Sequence, residues 1–258
     1  MAEAVVALGV INGRMKDYYD LWALPKAVDL DLEDNRGATA LITACIEGHA
    51  ECVQKLAEAN ADLNKAMRRY GTTPLMHACW AQKPSCVEIL LTNGANVHQD
   101  GSGRRTALHY ACSYGCHRCI IALQRHGADV DKHDSEGKTP LMQAVITQNH
   151  SCVVALIAVK ATLDAPNYAD DNYTALMYAC SHGFLDITKR LIKAGANKEV
   201  RSLLDRKTPL MLAAALGNTA IVQELITNKA DLNAVDLNQC TAVMYCCMYG
   251  HDGCLEEL

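Results

Sequence analysis

One short pattern constrains the fold of this chain more than any other: Thr, then Ala or Pro, then Leu or Val, at seven places. The threonines are Thr39, Thr73, Thr106, Thr139, Thr174, Thr208 and Thr241, with gaps of 34, 33, 33, 35, 34 and 33 residues. A second register is locked to the first. An alanine stands 22 residues after each of the first six, at Ala61, Ala95, Ala128, Ala161, Ala196 and Ala230. Two registers kept in phase from Thr39 to Ala230 define a tandem array, in which each unit buries its apolar face against its neighbours.

Each unit reads as a pair of short helices. Thr suits a helix N-cap, because its hydroxyl can accept from an early helical N–H. Pro74, Pro140 and Pro209 take the next position, where a missing N–H costs nothing. Adjacent small residues follow (Ala44-Cys45, Ala78-Cys79, Ala111-Cys112, Ala179-Cys180, Ala213-Ala214), letting helices approach closely. Gly48, Gly115, Gly183, Gly217 and Gly250 mark the elbow before a second helix, whose apolar residues (Val87, Leu90, Leu91) fall at helical spacing. The second helix is expected to end at Asn60, Gly94, Gly127 or Gly195, residue types that accept a left-handed C′ conformation. Lys160 and Lys229 occupy that position elsewhere, at an expected penalty of about 1 kcal/mol against Gly. A stretch containing a tight turn, at Gly37, Gly71 or Gly137, leads to the next Thr.

Thr106-Ala107-Leu108-His109-Tyr110-Ala111, followed by Gly127-Ala128-Asp129-Val130, is the fullest statement of the pattern. With its period near 33, the array resembles the ankyrin-repeat family over nearly its whole length. The resemblance implies an all-α solenoid of stacked helix–turn–helix units with β-hairpin or loop fingers. It implies about eight units: a degenerate N-terminal capping unit over 1–36, full repeats over 37–70, 71–103, 104–136, 137–171, 172–205 and 206–238, and an incomplete one over 239–258. The capping unit is expected to carry helices over Glu3–Val10 and Lys16–Ala23, with Glu3, Arg14, Lys16 and Asp17 on its polar outer face. The stop at Leu258, inside a second helix, suggests a chain that continues or an end covered by a partner. One departure from the family is systematic: its His after Leu appears only as His109, and Met76, Met142, Met177, Met211 and Met244 replace it.

Composition narrows the function classes. Half the residues are hydrophobic, which excludes a disordered chain, yet there are 37 Ala and 13 Cys against one Phe and two Trp. With 24 Lys+Arg against 29 Asp+Glu the net charge is −5, which disfavours nucleic-acid binding. No apolar run reaches the roughly 20 residues of a membrane span, and Glu3 sits where a secretion signal would carry positive charge. A reducing compartment, cytoplasmic or nuclear, is expected from so many cysteines without a secretory signal.

Thirteen Cys and ten His raise a metal or redox hypothesis. The repeat register offers another reading. Cys45, Cys79, Cys112, Cys180 and Cys247 fall six residues after the Thr, and Cys52, Cys86, Cys119, Cys152 and Cys254 fall thirteen after it. Those ten, with Cys246, are expected on inner helix faces, where free Cys serves as a small apolar residue. Cys116 and Cys240 are expected to be exposed, and Cys116, near a helix start, is the candidate for a lowered thiol pKa. The densest cluster is Cys112, Cys116, His117 and Cys119. No phosphate loop, Gly-x-Ser-x-Gly or His-Glu-x-x-His motif occurs, and the carboxylate pair Asp170-Asp171 lies on a finger tip with nothing to exclude water. No catalytic residue, metal or cofactor is assigned, and no small-molecule substrate is expected.

The resemblance implies that finger tips and exposed ends of the first helices line one concave surface. The relevant positions fall four, three and one residues before each Thr and seven and eight after. They hold Arg69, Tyr70, Trp80, Arg105, Tyr114, Asp170, Asp171, Tyr173, His182, Met248 and Tyr249. Five of the chain's thirteen aromatic residues stand there, and Tyr, Trp and Arg dominate interface energetics. Lys65, Arg68, Arg69, Arg104 and Arg105 make the early fingers basic, while Asp164, Asp170 and Asp171 make the longest finger acidic. A scaffold that binds a partner protein or peptide along this groove is the leading expectation. The alternative is a regulatory or targeting segment of a larger enzyme whose catalytic part lies beyond Leu258.

Overall fold

The computed structural model describes residues 29–258. The expected capping-unit helices over Glu3–Val10 and Lys16–Ala23 lie outside the described residues. Fourteen α-helices follow in seven pairs among the described residues: α1 (Ala40–Glu47) with α2 (Ala50–Glu58), α3 (Pro74–Trp80) with α4 (Pro84–Thr92), and α5 (Ala107–Tyr114) with α6 (His117–Arg125). Next come α7 (Pro140–Ile146) with α8 (His150–Ala158), α9 (Ala175–His182) with α10 (Leu185–Lys193), and α11 (Pro209–Ala215) with α12 (Thr219–Thr227). The last pair is α13 (Ala242–Tyr249) with α14 (Asp252–Glu257). First helices stack on first helices and second on second, so each pair touches only its neighbours along the array.

The threonine register sets where each first helix starts. Thr39, Thr73, Thr139, Thr174, Thr208 and Thr241 are N-caps whose hydroxyls accept from the backbone N–H three residues on, at 3.3–3.4 Å. In two of the units with Met at that third position its sulfur accepts the cap's own N–H, Thr73 to Met76 Sδ (3.4 Å) and Thr208 to Met211 Sδ (3.5 Å). His109 does more. Its Nδ1 accepts from Thr106 N (3.1 Å), which leaves Nε2 to donate to the Lys138 carbonyl of the next finger (3.2 Å). A thioether has no proton to make that second bond, so the five Met units lack it.

Left-handed backbone recurs at three places per unit: two residues before the Thr, nine after it and 21 after it. Gly fills many of these, but Gln82 (φ 56°), Lys160 (61°) and Lys229 (63°) adopt the same conformation. The sequence reading of the two lysines therefore holds. The fingers are closed by single bonds such as Asp134 N to Lys138 O (2.9 Å), with only the isolated bridges Met67–Thr72 and Asn167–Tyr173 and no strand among the described residues. In three fingers the turn is held by an aspartate five before the Thr. One carboxylate oxygen of Asp34, Asp134 or Asp236 accepts two backbone N–H groups at 2.7–2.9 Å.

The core is the inner faces of the helices. Cys45, Cys79, Cys112 and Cys180 are buried beside Ala44, Ala78, Ala111 and Ala179, and the largest fully enclosed side chains are Leu, Ile and Met. Burial raises the Cys79 and Cys112 thiols and pushes Cys152 up to about 11 and Cys180 to about 12, so these groups stay protonated at neutral pH. The expected exposure of Cys116 and Cys240 is corrected. Cys116 caps α6 from within the elbow, is buried, and is disulfide-bonded to Cys119 across the first helical turn; Cys240 is half-buried. Two residues assigned to inner faces also differ: Cys52 is half-buried and Cys247 is exposed. No helix among the described residues lies over the face of α13 that holds Cys247, whereas α3 covers the equivalent face of α1.

Candidate partner-binding surface

Trp80 ends α3 and Tyr114 ends α5, one repeat apart. Their rings meet edge to face with centroids 6.0 Å apart at 87°, a favoured aromatic geometry. They are 41% and 44% exposed, and Tyr70 on the neighbouring finger is 48% exposed. Beneath Trp80, His77 meets the indole edge at 6.1 Å and hydrogen-bonds Thr72 Oγ1 through Nε2 (2.8 Å). Burial lowers its pKa to about 4, so the imidazole is neutral at pH 7. Gln82 ties the two units together, donating from Nε2 to the Tyr114 carbonyl (2.5 Å).

The residues chosen from sequence are not all assembled alike. Arg69 lies over the Tyr70 ring at 5.2 Å, and Tyr70 has no other aromatic partner among the described residues. Arg105 turns back on its own unit: its guanidinium lies over Tyr110 at 5.4 Å and donates to Ser113 Oγ (2.7 Å). It is therefore half-buried rather than a free arginine flanking Trp80. Farther along, Tyr173, Tyr178, His182 and Phe184 form a chain of ring contacts at 5.4–6.3 Å. Met248 and Tyr249 are exposed at the end of α13, with Tyr249 stacked on Tyr245 at 6.2 Å.

The acidic pair is largely engaged within the fold. Asp170 accepts from the Tyr178 hydroxyl, which also takes a bond from Asn167 Nδ2 (2.9 Å). Asp171 accepts Leu203 N–H at its carbonyl (2.9 Å) and Leu204 N–H at its carboxylate. Lys65 and Arg68 both pair with Glu33, at 3.3 and 2.8 Å. Sequence reasoning overlooked the apolar finger residues Leu203, Leu204 and Leu237, all exposed. A signal was present, since Leu204 and Leu237 stand at the position four before the Thr that it had assigned to the surface.

No group of three His, Cys, Asp or Glu among the described residues is placed to hold a metal ion, and no described helix is long and apolar enough to cross a membrane. What the geometry offers is an extended surface with exposed rings, on a stack whose inner faces are closed by small residues. That defines a repeat solenoid with an exposed face rich in rings.

Comparison with known proteins agrees. Residues 13–101, 108–202 and 176–258 match the family model described as ankyrin repeats (3 copies). The chain belongs to the ankyrin-repeat family. It is 36% identical to mouse inversin over 78 residues, 30% of this chain and 7% of that protein. It is 37% identical to the Arabidopsis thaliana E3 ubiquitin-protein ligase KEG over 91 residues, 33% of this chain and 5% of that protein. The chain thus spans well under a tenth of either relative. Among solved structures it resembles the ankyrin repeat domain of Bcl-3, described as a unique member of the IkappaB protein family. That match has 26% identity and a TM-score of 0.75 and covers 81% of this chain and 94% of that one.

Proposed function

We propose that this chain is a non-catalytic scaffold, divided into the units 37–70 through 239–258, that binds a partner protein or peptide along the groove between its fingers and first helices. The observation that carries the reading is the Trp80–Tyr114 pair. The largest fully enclosed side chains are Leu, Ile and Met, yet two large rings from adjacent units stand half in solvent. Rings that contribute binding area at little rotamer cost are typical anchors of interfaces. Arg69, Tyr70 and Tyr114 extend this patch toward the early fingers; Tyr173, His182, Met248 and Tyr249 continue it along the array. Arg105, Asp170 and Asp171 act on this reading by shaping the surface more than by touching the partner.

The test is capture of partners from the source cell on wild-type chain and on a Trp80→Ala, Tyr114→Ala variant. Proteins retained by the wild type and lost from a variant that still unfolds cooperatively support the groove. Equal retention on both contradicts it.

A second reading is that the array regulates or targets a larger enzyme. It is favoured by similarity to a segment of a ubiquitin ligase of which the match is a small part. The full-length coding sequence separates the two: a catalytic motif in the same chain supports the second.

A further inference from the structure

Four of the most exposed large apolar side chains among the described residues are Tyr168, Leu203, Leu204 and Leu237, at 73%, 63%, 69% and 62%. They lie on three consecutive fingers. Single exposed leucines need no explanation, but a row on adjacent fingers forms an apolar patch of the kind that marks interaction sites. The row is held in line by the backbone. Leu203 N–H donates to Asp171 O (2.9 Å), and Leu237 N–H donates to Asp205 O (2.8 Å). Leu204 N–H reaches the Asp171 carboxylate, and the Tyr168 ring rests 5.6 Å from that of His133. The equivalent positions four before the Thr on earlier fingers are Arg69, Ser102 and Ser135.

Charge along the fingers separates in the same direction. On the early fingers Arg69 and Arg104 are exposed and form no salt bridge among the described residues, in contrast to Arg68. On the late fingers the acids are engaged: Asp170 by Tyr178, Asp171 by Leu204 N–H, and Asp205 by Lys207 at 2.8 Å. Arg206, on the finger of Leu203 and Leu204, is also exposed and forms no salt bridge among the described residues, so the early end is cationic without leucines while the late end is apolar with one arginine beside it. Packed helices lie about 8–10 Å apart, so two unit steps from the Arg104 finger to the Tyr168 finger span about 20 Å. An extended chain covers that in about six residues.

We infer that the fingers carrying Tyr168, Leu203, Leu204 and Leu237 form an apolar ridge for an extended protein segment, whose apolar side chains lie on the ridge while its acidic residues, about six and about nine positions from the residue at Tyr168, face Arg104 and Arg69 respectively. This rests on the reading of the chain as a partner-binding module and specifies the partner's chemistry. It replaces the acidic late end expected from sequence, because the Asp170 and Asp171 carboxylates are already bonded within the fold. A bilayer fits less well, since anionic headgroups would meet Asp170 and Asp205 beside the leucines and a chain of net charge −5.

The test uses the whole 258-residue chain and a phage-displayed library of random peptides of about 16 residues, long enough to span the distance. Selected peptides should carry an apolar cluster and an acidic cluster. The Leu203→Ser, Leu204→Ser double variant should weaken them at least about tenfold, Arg104→Glu should weaken them too, and thermal unfolding should be unchanged because all three side chains are exposed. Selection of no peptide, or of peptides indifferent to the leucine variant, overturns the ridge. Trp80→Ala separates this from the groove reading. Peptides lost on Trp80→Ala but kept on the leucine variant leave the groove standing and remove the ridge; the reverse keeps the ridge and removes Trp80 from the site. Phosphatidylserine vesicles serve as a further probe, and leucine-dependent vesicle binding in place of peptide binding overturns the proposal in favour of a membrane.

Discussion

Between the units and on the fingers, the same register is filled by opposite rules. Six residues after the Thr stand Cys45, Cys79, Cys112, Val145, Cys180, Ala214 and Cys247, all small and apolar, and all but Cys247 buried. Four residues before the Thr stand Asn35, Arg69, Ser102, Ser135, Asp170, Leu204 and Leu237, with no common chemistry. Packing explains the first row. Helices that stack at close range admit only small side chains, and an extra or missing methylene is felt throughout a close-packed interior. Nothing in the stack restricts the second row. Repetition marks what the fold requires, and variation marks where the molecule is free to differ from its relatives.

The largest test of that division is acid. His77 lies at the boundary, under Trp80, and burial lowers its pKa to about 4, against about 6.5 in an unfolded chain. The unfolded state therefore takes up the proton first. Stability present above pH 6.5 is lost as pH falls toward 4, by up to about 3 kcal/mol. Buried His109, also lowered by desolvation, adds in the same direction. Urea unfolding at pH 7 and pH 4.5 should show His77→Gln losing less stability than the wild type; equal losses would place His77 outside the packed region.

Cysteines sharpen the comparison within one register position. Cys79→Ser buries a hydroxyl where a thiol packs against small residues, and should destabilise by about 1–3 kcal/mol. Cys247→Ser, at the same position but exposed, should change stability by no more than about 0.5 kcal/mol. Matching effects in chemical denaturation would break the argument from burial.

Thr188 is the core position where repetition fails. Its counterparts are Val53, Val87, Ile120, Val153 and Val222, all buried, whereas the Thr188 hydroxyl is enclosed with no partner at hydrogen-bond distance and only the Cys180 thiol, a weak donor and acceptor, near it. Thr188→Val should stabilise by about 1 kcal/mol, readable as a shifted denaturation midpoint; a loss would mean the hydroxyl has a partner after all. The smallest effect is expected at Lys160, where φ is 61° on an exposed helix end. Lys160→Gly should gain about 0.5–1 kcal/mol, and no gain would show that the left-handed residue is unstrained.

The stack was legible in the sequence because packing repeats. Thr caps, left-handed positions and buried cysteines follow from one unit applied seven times. The surface was legible only in part. Position in the register located Trp80, Tyr114 and Tyr70 on the outside, but not which neighbours each side chain would meet. Arg105 folding onto Tyr110, Asp171 binding the next finger's N–H, and Cys116 closing onto Cys119 depend on rotamers and on contacts between fingers. The period carries no information about these. Cys247 was misplaced because its register position is buried only where a following first helix covers it.

On the proposed function, the exposed rings serve binding and the repeated small residues serve folding. Trp80→Ala tests it most directly, with unfolding free energy and affinity for a captured partner measured on the same preparation. Binding should weaken by at least about 2 kcal/mol. Stability should fall by no more than about 1.5 kcal/mol, the scale of the ring's pairing with Tyr114. Unfolding of the variant at ambient temperature, with undiminished affinity in its folded fraction, would make Trp80 a core residue and contradict the account.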